Sequence, residues 1–184
     1  MNKTNDNVGG TPRTGIRASG TRPVGIRPTT EEDWEILKGI FLAALSDSPT
    51  AFGLRYATAA AYSEQQWRDC ASAQTQPLYL VALEQGHAVG LIGDGITRSH
   101  EYHLIAMWVH PKRRGMGIGG RLVNAIQARA IERGYRRVVL RVSPENGRAA
   151  DLYRRHGFIF LPEWETLAGQ PAINLQKMEW SSSR

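Results

Sequence analysis

A single cysteine, Cys70, leaves no route to an internal disulfide, and a lone thiol fits a reducing compartment. The start of the chain is polar and has no apolar core of the kind a secretory signal needs, so none is expected. Long hydrophobic runs are also missing. The apolar stretch Leu104 to Val109 is far too short to span a bilayer. These absences point to a cytoplasmic protein without a membrane partner. No Gly-Lys-Ser/Thr follows the one glycine-rich turn, which excludes a Walker phosphate loop.

Other features are ordinary. With 184 residues, 41% hydrophobic and 22% charged, the chain is sized for one globular domain with a real core. Its 23 basic and 17 acidic residues give a net charge of +6, which favours an anionic partner without choosing which. Residues 1–22 are rich in Gly, Thr, Arg and Asn and read as a flexible tail, with the domain at 23–184. The tail holds a weak echo, Gly10–Arg17 against Gly20–Arg27. Its arginines alone make nucleic-acid binding a minor alternative, because no aromatic residues are interleaved with them.

Patterning predicts a mixed α/β chain. A first strand, Val24–Pro28, leads to Thr30 as a helix cap, with Glu31, Glu32 and Asp33 in the first turn. Trp34, Leu37, Ile40, Phe41, Ala44 and Leu45 follow at helical spacing. Residues 46–61 read as loop or broken helix. Ser63 and Gln66 form a capping-box pair for a second helix that fades near Gln74. Runs at 78–83, 88–92 and 101–109, joined by short links, predict an antiparallel meander. A helix over 118–130 ending at Gly134 and a strand at 138–142 make a strand–helix–strand unit, hence a parallel pair. A short helix, Arg148–His156, and strands at 158–161 and 172–180 complete the chain, with a loop expected at 162–171.

The most informative stretch lies between Val109 and Leu122. After the strand comes Lys112-Arg113-Arg114, then Gly115, Gly117, Gly119 and Gly120, then the helix. Glycines let backbone N–H groups approach a ligand, and a helix N-terminus adds partial positive charge. The amides of Met116, Gly117, Gly119, Gly120 and Arg121 thus form a candidate cradle for a phosphate or pyrophosphate. Lys112, Arg113, Arg114 and Arg121 are either anion contacts or a solvated surface cluster. A dinucleotide reading of Gly115-x-Gly117-x-x-Gly120 fails on context. The turn follows a meander, and the next strand ends Arg141-Val142-Ser143 without the acid a ribose needs.

Arg114-x-x-Gly117-x-Gly119 after this strand, with Asn146-x-x-Ala149-x-x-x-Tyr153-x-x-x-Gly157-Phe158 on the following helix, resembles the GNAT family of N-acetyltransferases. The motifs cover about residues 104–160. The resemblance implies an α/β (α+β) fold: a mixed, mostly antiparallel twisted sheet, helices on both faces and a splayed parallel central strand pair. It implies acetyl-CoA as co-substrate and no metal. The backbone of Met107 to Val109 would pair with the pantetheine arm, and a backbone N–H near Val109 would donate to the oxyanion. Asn146 is either a pantetheine contact or an Asx turn. Tyr153 matches the family's general acid; a core tyrosine at helical spacing from Ala149 is the alternative. For the base, Glu101 and His103 lie in the right region. A regular strand would put Glu101, His103, Ile105, Met107 and Val109 on one face, and a bulge would change that. A solvent-relayed proton is the third option. The acceptor is a primary amine, on a small molecule or a protein, chosen by residues 46–63 and the loops at 93–100 and 162–171. A homodimer is compatible with this reading. A non-catalytic acyl-CoA-binding module on the same fold is the main rival.

Overall fold

The computed structural model describes residues 23–72, 74 and 76–182, so the expected tail and its echo lie outside the described residues. Seven strands form one sheet in the order β1-β2-β3-β4-β5-β7-β6. They are β1 (Val24–Pro28), β2 (Leu78–Glu84), β3 (His87–Ile96), β4 (Tyr102–Val109), β5 (Arg137–Val142), β6 (Ile159–Leu167) and β7 (Gln170–Ser181). Every neighbouring pair is antiparallel except β4 and β5. Five α-helices accompany them: α1 (Trp34–Asp47), α2 (Tyr56–Ala60), α3 (Glu64–Ala71), α4 (Ile118–Glu132) and α5 (Gly147–Arg155).

Local chemistry explains the helix boundaries. A 3-10 turn, Glu31–Asp33, leads into α1, and the Asp33 carboxylate accepts from the Thr30 amide at 2.9 Å. The same carboxylate takes two hydrogen bonds from Arg27, at 2.6 and 2.7 Å, tying β1 to the head of α1. That guanidinium holds the Asp33 carboxyl at about 2, well below the usual range. Ser63 and Gln66 close the capping box at the start of α3, amide to side chain in both directions. Gly134, at φ +83°, ends α4, and its amide donates to the Ile131 carbonyl.

The helices cover the two faces of the sheet. On one, α4 and α5 bury Leu122, Val123, Ile126 and Tyr153 against Leu80, Ile92, Leu104, Val138 and Leu140. On the other, α1 and α3 bury Leu37, Phe41, Leu45 and Trp67 against Tyr79, Val81, Leu91 and Trp108. Phe41 meets Phe52, Trp67 and Tyr79 at ring-centroid distances of 6.2, 6.0 and 5.6 Å, the tilted and edge-on geometry that aromatic pairs prefer.

Two strand expectations are corrected. The loop foreseen at 162–171 is mostly strand: β6 continues to Leu167 and β7 begins at Gln170. Pro162 is accommodated by a break in register between Phe160 and Trp164, where β6 carries extra residues that need no ladder partner. β3 likewise runs to Ile96, through Gly93, Asp94 and Gly95, because the Asp94 carboxylate is buried beside Arg129 rather than turned to solvent.

Candidate active site

β4 and β5 are paired only at Tyr102–Val138 and His103–Val139. Beyond those pairs the strands separate, which opens a slot in the middle of the sheet. β4 is also irregular against β3. Gly93 pairs with Ile105 and Leu91 with Trp108, so Ala106 and Met107 have no ladder partner and Ala106 sits at φ +51°. This bulge resets the alternation. Tyr102 and Leu104 face the α4–α5 layer, as do Met107 and Val109 after it. Ala106 and Trp108 face α1 and α3. His103 and Ile105 stand on that second face as well, since a Cβ at Gly93 would touch both Ile105 and Tyr79. Glu101 and His103 are therefore on the opposite side of the sheet from Met107 and Val109.

The slot widens into a cleft of about 470 Å³ between the start of α4, α5 and the end of α1, within the range of small-molecule sites. It is lined by Met107, Trp108 and Val109, by Arg113 to Gly115 and Gly117 to Gly120 of the turn, and by Arg148, Ala149, Leu152, Tyr153 and Arg155 of α5 with its caps Asn146 and His156. Ser48, Ala51 and Phe52 close one side. Gly115 and Gly117 have φ near +80° and +76°, and a Cβ at either would meet nothing within 4 Å. They hold the turn open toward the cleft in a conformation other residues resist. Gly119 and Gly120 serve differently. A Cβ on Gly119 would lie 2.9 Å from Met107 Cε, and one on Gly120 would lie 2.6 Å from His156 Nε2. These two glycines let α4 pack closely on β4 and α5.

Among the expected cradle amides, that of Arg121 donates to the Gly117 carbonyl, the first bond inside α4. The amides of Ile118, Gly119 and Gly120 precede it and lack intrahelical acceptors. The basic side chains are largely engaged. Arg113 pairs with Glu84 at 2.7 Å, Arg121 donates to the Val24 carbonyl at 2.6 Å, and Arg114 Nε donates to the Val109 carbonyl at 2.9 Å. Arg114 also bonds Asp47 at the end of α1. Arg148 and Arg155 line the cleft with no ion pair among the described residues. The sequence reading passed over them, since neither belongs to the motif residues of α5: Arg148 and Arg155, seven apart, share a stripe of the helix with Leu152 and flank the side that carries Asn146 and Tyr153.

Asn146 caps α5, its Oδ1 accepting from the Ala149 amide at 3.3 Å, while the residue still borders the cleft. Tyr153 is only 6% exposed and packs edge-on against Phe158 at 5.7 Å. Burial pushes its phenol well above the usual value. No described residue hydrogen-bonds its hydroxyl, and the side chain lines the cleft. His156, also missed, anchors Nδ1 on Asn124 Oδ1 at 2.7 Å and sets its ring against Gly120.

The opposite face carries the two candidate bases. Glu101 is held by Lys177 Nζ at 2.7 Å, and that ammonium also donates to Glu163 at 2.9 Å. The ammonium keeps the Glu101 carboxyl below its ordinary range. Arg141, on β5, pairs with Glu165 at 3.2 Å. His103 lies near these groups, its side chain without a hydrogen bond among the described residues. Burial first, then Arg141, pull its imidazole below 6.5.

The profile of the acetyltransferase (GNAT) family matches residues 41–158, well over half of the chain. The chain belongs to that family. Solved structures agree on the fold. A GNAT-family acetyltransferase from Streptococcus pneumoniae has 19% identity and a TM-score of 0.73 over 87% of this chain and 100% of its own. The Salmonella typhimurium protein yncA, solved with its cofactor acetyl-CoA, has 18% identity and a TM-score of 0.69 over 88% and 95%. A ribosomal-protein-alanine N-acetyltransferase from Brucella melitensis has 23% identity and a TM-score of 0.64 over 85% and 99%. This GNAT acetyltransferase thus has the expected mixed sheet, with helices on both faces and one splayed parallel pair.

Proposed function

We propose that the chain transfers an acetyl group from acetyl-CoA to a primary amine, with Tyr153 as general acid and His103 as general base. One observation carries the reading: Tyr153, a buried residue whose hydroxyl has no hydrogen-bond partner among the described residues, borders the same cleft as an open glycine turn. The solved acetyl-CoA complex of the similarly folded yncA supports the choice of donor. Gly115 and Gly117 suit the donor site, since each leaves open the space a Cβ would fill. The amides of Met116 to Gly120, with Arg148 and Arg155, would meet the phosphates, and Met107, Val109 and Asn146 would border the pantetheine arm. Bound there, acetyl-CoA would supply an activated thioester.

The chain's own groups divide the proton work between the two faces of the sheet. Burial, with Arg141 nearby, disfavours the charged form of His103, which suits its imidazole to take a proton from an incoming ammonium. Glu101 is the weaker base, since Lys177 stabilises its carboxylate. Tyr153 stays protonated and presents that proton to the cleft, where a departing thiolate needs it. The bulge at Ala106 and Met107 frees strand backbone from the ladder, which suits an oxyanion donor. A screen of amines, small and peptidic, followed by free-thiol release from acetyl-CoA tests the reading. Turnover on some amine is expected. Tight binding of acetyl-CoA with no turnover on any amine would favour the non-catalytic acyl-CoA-binding module instead.

A further inference from the structure

Asp47 is the last residue of α1, where a negative charge opposes the helix dipole and is ordinarily unfavourable. The protein keeps it there by surrounding it with donors. Its Oδ2 accepts from the Trp108 indole at 2.8 Å and from the Ser48 hydroxyl at 2.8 Å, and it pairs with Arg114. These bonds, the indole's first, hold the carboxyl below its ordinary range. Arg114 has its other hand on the Val109 carbonyl at 2.9 Å. One carboxylate therefore joins three parts of the molecule: the end of α1, the post-bulge segment of β4, and the turn carrying Gly115 and Gly117.

We propose that Asp47 is a positioning residue for the donor site, acting through Arg114 to fix the glycine turn against the end of β4. The guanidinium next to the turn is spent on this strap and does not serve as an anion contact. Because Ser48, Ala51 and Phe52 follow directly and line the same cleft, the strap also sets the acceptor-side wall relative to the donor turn. The inference rests on the donor reading above.

Calorimetric titration of coenzyme A into the wild-type chain, Asp47→Asn, Arg114→Met and the double variant tests it. Asn still accepts from the indole but carries no charge for Arg114, so the change isolates the strap. Each single variant is expected to weaken binding roughly 10-fold, the scale of one charge-assisted hydrogen bond, and the double variant no more than the worse single. The KM for acetyl-CoA should rise in step while kcat changes less than about twofold. Should Asp47→Asn fail to fold, Arg114→Lys, which keeps the charge and loses the fork, is expected to show the same loss. Wild-type affinity in Asp47→Asn or Arg114→Lys, or additive losses in the double variant, would overturn the proposal alone. Absence of coenzyme A binding by the wild-type chain would overturn the donor reading and this proposal with it.

Discussion

The two faces of the sheet solve different problems. The α4–α5 face carries the glycine turn and the cleft of the proposed donor site. Its glycine turn and helix terminus are contiguous in the chain and their geometry follows from short-range rules, and Tyr153 joins them from α5 within the same strand–helix–strand–helix stretch. The α1–α3 face is built from distant pieces. Arg55 donates to the Gly169 carbonyl at 2.9 Å and Gln170 to the Pro49 carbonyl at 2.9 Å, so the β6–β7 hairpin meets the α1–α2 segment across more than a hundred residues of sequence. A donor site can be assembled locally; an acceptor wall is assembled by long-range contact and is free to differ.

Substitutions can break or sharpen this contrast. The largest effect is expected on the donor face. Gly117→Val puts a branched side chain at φ +76°, into open cleft, and should weaken coenzyme A binding by more than about 100-fold. Near-normal affinity by calorimetry would show that the turn is not the cradle. Next comes Tyr153→Phe, for which kcat should fall roughly 10²-fold, the usual worth of a general acid, with coenzyme A affinity nearly unchanged. An unaltered kcat would remove the tyrosine from the chemistry.

Smaller effects separate the two bases on the other face. The imidazole of His103 must be unprotonated to act, and burial with Arg141 nearby holds it below the ordinary histidine range, so kcat/KM should fall only as the medium is made acidic. His103→Gln should lower kcat/KM at pH 7 by roughly 10-fold or more and abolish that acid limb, while Glu101→Gln should leave the limb in place. The reverse pattern would transfer the role to Glu101. The smallest effect concerns stability alone. Arg27→Ala should cost on the order of 1 kcal/mol at pH 7, discounted for the part-exposed arginine. Asp33 is depressed from 3.8 to about 2, so its contribution is present above 3.8 and lost as pH falls toward 2. The variant's denaturant midpoint should therefore converge on the wild type's in acid.

Legibility from sequence followed the same divide. The turn between β4 and α4 and the helix that carries Tyr153 were readable because glycine spacing and helical spacing are local signals. The order of the main elements was readable because alternation and caps such as Ser63–Gln66 are local too. The bulge was not, since an alanine at φ +51° announces nothing; only the β3 register reveals it. Nothing in the local spacing around Asp47 announces its bonds to Trp108 and Arg114, which exist only once β4 and the turn are folded against it. For Arg113, Arg114 and Arg121 the sequence leaves anion contact and solvated cluster open, and their engagement with Glu84, Asp47 and the Val24 carbonyl comes from residues far away in the chain. Pro162 reads as the end of a strand because register breaks are not written in composition.

The scant pairing of β4 with β5 has one further consequence. Two residue pairs are all that join a half-sheet of β1 to β4 to another of β5 to β7 along the ladder, while α4 backs the join on one side. The sheet is in effect hinged. Slow amide exchange should be lost first at the unpaired positions beyond His103 and Val139, well before either half-sheet opens. A ligand lying in the slot would act as a clasp across the hinge. At 100 times its dissociation constant it would add about 2.7 kcal/mol of stability, felt at once by both halves. Protection gained together on β4 and β5, and not on the distant β1 or β6, would be the signature of that clasp.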